Sequence, residues 1–112
     1  MSDSSPADIQ FLNELHEVIA KNMANEQFGV TELAEAMNMS RSNLLRKVKK
    51  STNIPVNQLI REARLKRAME LLKNSTSNVS EVSVQVGFNS TSYFIKCFRE
   101  YYGYPPGEAG KH

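Results

Sequence analysis

The sequence predicts an all-α fold: two helix-turn-helix subdomains joined by a central linker helix, about seven helices in total. Three observations lead there. The stretch Val56 to Lys73, VNQLIREARLKRAMELLK, has no Pro, no Gly and no β-branched run, and it is rich in Leu, Ala, Arg, Lys and Glu. It reads as a helix, with Pro55 where a helix start tolerates it. Its apolar side then changes direction: at about 100° per residue Val56, Leu59, Ile60 and Ala63 gather at about 0°, whereas Leu65, Ala68, Met69 and Leu72 gather at about 170°. A helix serving one core keeps one stripe, so this one serves two. The third observation is an internal repeat. Val30, Leu33, Ala34, Met37, Asn38 and Met39 match Val79, Val82, Ser83, Val86, Gly87 and Phe88 at an offset of 49, and Ser40, Leu44, Arg46, Val48 and Lys49 match Ser90, Phe94, Lys96, Phe98 and Arg99 at an offset of 50.

The elements follow in order. Residues 1–7 are polar and structure-poor, expected as a disordered linker or cloning remnant. Asp8 is expected to cap a helix whose stripe is Ile9, Leu12, Leu15, Ile19 and Met23, flanked by Phe11 and Val18. After a turn from Asn25 to Gly29, Thr31 opens TELAEAMN, with Glu32 in its first turn and Asn38 ending it in the left-handed conformation. Ser40 caps SRSNLLRKVKK, which should bury Leu44 and Val48. These elements make the first subdomain, 8–54. The connecting helix occupies 55–73 and the second subdomain 74–107. There NSTSN is a polar loop and Asn78 with Glu81 forms a capping box for VSEVSVQV, which Gly87 ends. Ser90 caps TSYFIKCFREYY, with Phe94 and Phe98 as the core pair and Gly103 as the stop. Pro105 and Pro106 break any continuation, so 108–112 are expected as a tail.

Charge is unevenly placed. Residues 1–40 carry one basic side chain against seven acids, residues 41–73 carry ten against two, and residues 74–112 carry three of each. A basic middle third is the footprint of a polyanion partner. In a helix-turn-helix the second helix lays its N-terminal half in the DNA major groove. Its outer face is here Ser42, Asn43, Arg46, Lys49 and Lys50, with Arg46 suited to a guanine edge and Asn43 to adenine. Lys47, Lys49 and Lys50 are expected at phosphates. The equivalent face in the second unit is Thr91, Ser92, Tyr93, Lys96 and Arg99. Ser40 and Ser90, with the amides at their helix starts, can hold phosphates or simply cap. Eighteen helical residues span about 27 Å, which could hold two recognition helices near one DNA turn, roughly 34 Å, apart.

The run RLKRAMELL followed by VSEVSVQVGFNSTSYFIKCFREYYG resembles the signature of AraC/XylS-type transcription regulators, and GVTELAEAMNMSRSNLLRKVKK resembles their first helix-turn-helix. The resemblance covers residues 9 to 107. It implies a two-lobed domain acting on promoter or operator DNA in the bacterial cytoplasm. Carried over by position, the family's base-reading sites fall on Ser42, Leu45 and Arg46, and on Thr91, Ser92, Tyr93 and Lys96. Three positions depart: Ser83 stands where the family usually has Ala, Ser42 where it often has a larger or aromatic residue, and Pro106-Gly107-Glu108-Ala109-Gly110 replaces Pro-x-Glu-Tyr-Arg. The first unit most resembles the output domain of response regulators and hybrid sensor kinases. That implies a sensor, receiver or dimerisation domain elsewhere in a parent that can be membrane-anchored, and a monomeric isolated domain. A stand-alone short regulator is the alternative.

No catalytic or metal constellation is expected, and no cofactor. His16 has no partnered carboxylate or Cys at ligand spacing, His112 is terminal, Cys97 adjoins the core position Phe98, and no Gly-rich phosphate loop is present. A helical protein-interaction module, docking on RNA polymerase or another partner through the acidic first third, is the competing class.

Overall fold

The computed structural model describes residues 5–74 and 76–111; the expectations for residues 1–4, 75 and 112 lie outside them. The described residues form α1 (Pro6–Asn22), α2 (Val30–Ala36), α3 (Arg41–Thr52), α4 (Val56–Asn74), α5 (Val79–Gln85), α6 (Thr91–Tyr102) and a terminal 3₁₀ helix (Pro106–Lys111). No helix among them is long and apolar enough to cross a membrane. The all-helical expectation holds.

The chain divides into two compact units. Unit one takes the chain up to Asn22 and then Phe28–Ile60; unit two takes Met23–Gln27 and Arg61 onward. The division falls inside α4, after Ile60, and leaves only Ala63 of the first apolar cluster on the side of unit two. Unit one buries Phe11, Leu15 and Ile19 from α1, Phe28, then Val30, Leu33 and Ala34 from α2, and Leu44 and Val48 from α3. Val56, Leu59 and Ile60 of α4 complete its buried set. Unit two packs Leu65 and Ala68 against Val82, Val86, Phe88, Phe94, Cys97, Phe98 and Ala109, with Met23, Met69, Leu72 and Tyr102 at its margin. Burial pushes the Tyr102 phenol up to about 12, helped by Tyr101, Tyr104 and Glu70.

The two helix-turn-helix units share the backbone bonds of their turns and the serine caps of their second helices. In the first, the Met39 amide donates to the Ala34 carbonyl and Asn38 to Glu35; in the second, Phe88 donates to Ser83 and Gly87 to Val84. These are paired C-terminal closures that require a left-handed residue, met by Asn38 at φ 61° and Gly87 at φ 87°. The Ser40 Oγ accepts from the Asn43 amide at 3.1 Å, and Ser90 Oγ from Tyr93 at 3.2 Å. Asn78 and Glu81 form the expected reciprocal box, while in the first unit Glu32 alone reaches back to the Gly29 amide at 2.9 Å.

Three expectations are corrected. Helix α1 begins at Pro6, and the Ser5 Oγ accepts from the Asp8 amide at 3.2 Å, so Ser5 is the cap and Asp8 sits in the first turn. Ser-Pro-x-Asp is a strong start signal, with Pro at the first helical position, that the polar composition of the N-terminus concealed. The stripe of α1 centres on Phe11, Leu15 and Ile19, leaving Ile9 50% exposed. The closing segment is a 3₁₀ turn: Ala109 is buried in the second core, and Glu108 donates its amide to Pro105. Gly103 ends α6 in the left-handed conformation, the two prolines beyond it permit a short turn, and a methyl group is enough to anchor that turn.

Arg64 joins two distant parts of the second unit. Its Nη1 donates to the Gly87 carbonyl and its Nη2 to Asn25, both at 3.0 Å. A Cβ on Gly87 would collide with the Met23 carbonyl and press on the Arg64 guanidinium at 3.1 Å. Gly87→Ala therefore should lose about 2–4 kcal/mol of stability in denaturant titration, from left-handed strain and overpacking. Ser83, 1% exposed, has a hydroxyl with no hydrogen-bond partner among the described residues. Ser83→Ala should raise stability by about 1 kcal/mol; a loss instead would mean that the hydroxyl has a partner.

Candidate nucleic-acid interface

Burial sets the rotation of each second helix and so decides what it shows. In α3, Leu44 and Val48 face the core, and Ser42, Asn43, Leu45, Arg46, Lys47, Lys49 and Lys50 are exposed. In α6, Phe94, Cys97 and Phe98 face the core, and Ser92, Tyr93, Ile95, Lys96 and Arg99 are exposed, with Thr91 half-buried.

The α3 face is partly pre-arranged. Arg46 Nη2 donates to Asn43 Oδ1 at 2.8 Å, one turn apart, which steers the guanidinium along the outer face. Lys47 Nζ lies 4.4 Å from the centroid of the Phe11 ring, a cation–π contact that holds α3 to α1. Lys49 Nζ donates to the Asn53 carbonyl at 3.5 Å, closing the C-terminus of its own helix. Arg41 Nη1 reaches Thr31 Oγ1 at 3.5 Å. A surface groove gathers Asn43, Arg46, Lys47 and Lys50, with Asp8 on its wall. Ser42 and Leu45 are exposed on the same helix but lie outside that groove.

On α6 a second groove gathers Ser92, Lys96 and Arg99 with Ile95 and Glu100. Tyr93 is held differently. Its ring lies 5.9 Å from that of Phe88, and the neighbouring Cys97 thiol raises its phenol above the ordinary value, while Arg61 pulls the other way. Tyr93 as a whole stays 46% exposed. Ser40 and Ser90 use a lone pair as caps, leaving each hydroxyl proton to donate outward.

Sequence reasoning missed Asp8, Ile95 and Glu100 as parts of these grooves. The offset of 50 that pairs Ile95 with Leu45 was the available signal for the first of α6's two; nothing local marks the carboxylates.

A family model described as a helix-turn-helix domain matches residues 33–112. The chain is 41% identical over 104 residues to Histidine kinase P4 of Formosa agariphila, covering 93% of this chain and 8% of that protein. It is similar in structure to the C-terminal domain of the two-component response regulator yesN of Fusobacterium nucleatum, with TM-score 0.81, 27% identity, and coverage of 90% of this chain and 98% of that one. It is likewise similar to the DNA-binding domain of AdpA, a global transcriptional factor solved in complex with a target DNA, with TM-score 0.80, 28% identity and 89% of each chain covered. The chain spans between 8% and 40% of the length of the first curated relatives it matches. The chain belongs to the AraC-type helix-turn-helix family of DNA-binding transcription regulators.

Proposed function

We propose that this chain is the DNA-reading output domain of a longer bacterial two-component regulator, with α3 and α6 entering successive major grooves of a promoter. The observation that carries the reading is the duplication itself. Each unit presents a second helix fixed by two or three core residues, capped by a serine and lined outward by cations. Likeness to a histidine kinase and to a response-regulator C-terminal domain supports the two-component assignment.

Within that reading Arg46 takes a guanine edge through its free N–H groups, and Asn43 positions it. The bond from Arg46 to Asn43 Oδ1 competes with the bidentate adenine contact that Asn43 would otherwise make. Of the candidate cations, Lys50, Lys96 and Arg99 have no intramolecular partner among the described residues; Lys47 and Lys49 have such partners and contribute less to phosphate binding. Ser42, Leu45, Thr91, Ser92 and Tyr93 complete the set of base-facing side chains, and Ser40 and Ser90 donate to phosphates.

Footprinting on a duplex selected from a random pool, at two salt concentrations, tests the arrangement. Protection over two adjacent major grooves on one face, weakening with a log–log slope of about −0.9 per neutralised phosphate, is expected. Protection of one groove would remove α6 from direct reading. Binding insensitive to salt would instead favour a protein-docking module such as one engaging RNA polymerase. Arg46→Ala should cost about 1–3 kcal/mol on the selected site and relax preference at one base pair. Equal binding of selected and scrambled duplexes by that variant and the parent would sink the role given to Arg46.

A further inference from the structure

Leu45 and Ile95 are large aliphatic side chains exposed at the flank of the outer faces of the two recognition helices, almost equally, 39% and 37%. They stand 50 residues apart, the offset that superposes α3 on α6. Their surroundings repeat with them: Ser42, Arg46 and Lys49 around Leu45 become Ser92, Lys96 and Arg99 around Ile95. Positions i, i+3, i+4 and i+7 lie on one helix face, so each helix shows the same chemical string of hydroxyl, branched aliphatic, cation and cation. Ser92, Ile95, Lys96 and Arg99 line one groove.

A single exposed aliphatic residue needs no explanation. The same one in register on both recognition faces, between side chains that suit base edges and phosphates, does. The major groove offers one apolar feature to such a side chain, the 5-methyl group of thymine. We propose that Ile95 is a base-reading residue that packs on a thymine methyl, the counterpart in α6 of Leu45 in α3. Each half of the bound site then carries a thymine next to the base pair read by the neighbouring cation, Arg46 or Lys96. The inference rests on the DNA-reading function above and adds the chemistry by which both helices select.

The test replaces thymine by deoxyuridine, one position at a time, in a duplex selected by the parent chain, which removes the methyl group alone. Parent binding should weaken about three- to tenfold at one thymine in each half-site, the scale of burying a methyl group and its neighbouring surface. Ile95→Ala should weaken the selected duplex by a similar factor and lose sensitivity to deoxyuridine at one of those positions only, with unchanged circular dichroism and salt slope. Leu45→Ala should lose it at the other, and Ile95→Val should keep most of the parent pattern. An Ile95→Ala variant that retains the parent's full deoxyuridine pattern overturns the assignment, as does a selected site with no sensitive thymine in the half that α6 covers. If the parent does not distinguish selected from scrambled duplex, the DNA-reading function fails first, and this inference with it.

Discussion

The guanidinium of Arg64 is the interaction on which the second unit depends. It is partly desolvated, which lowers its pKa against the opposing pull of Glu26, so its donors need acceptors inside the protein. It finds them in the carbonyls of Asn25 and Gly87, which lie 39 and 23 residues away in sequence. One carbonyl belongs to the segment that follows α1, the other to the turn between α5 and α6. That turn has no room for a Cβ at Gly87, because the Met23 carbonyl and Arg64 occupy the space. The turn sets the direction in which α6 leaves, and with it the face that Ser92, Lys96 and Arg99 present.

The first unit solves the same geometry with different chemistry. Asn38 supplies the left-handed residue that Gly87 supplies in the second, and α1 holds α3 through the Lys47–Phe11 contact. Ser40 and Ser90 start the two recognition helices in the same way. Equivalent backbone closures with unlike side chains let each unit keep its recognition helix in place while the exposed residues vary. The two grooves also each hold a carboxylate, Asp8 beside α3 and Glu100 on α6.

Much of this is legible in the sequence. Leu44, Val48, Phe94 and Phe98 follow from helical periodicity, and Ser40, Ser90 and the Asn78–Glu81 box follow from local capping rules. The split of α4 follows from the reversal of its apolar side. What escaped is non-local. Arg64 looks like any surface arginine until two distant carbonyls reach it, and nothing local to Lys47 foretells the Phe11 ring 4.4 Å from its ammonium. Ile9 fits the α1 stripe as well as Phe11 does, and only the position of the neighbouring helices selects Phe11. Ala109 carries no signal at all, because a methyl group is an anchor only where a cavity of its size exists.

The sequence by itself determined the helices, their caps, the repeat and the chemical character of each outer face, because these depend on contacts within about four residues or on periodicity along one element. The tertiary structure decided which charges are spent inside the protein and which remain for a partner. Those choices depend on groups brought within about 3 Å of one another across long stretches of chain, where a hydrogen bond or cation–π contact either forms or does not.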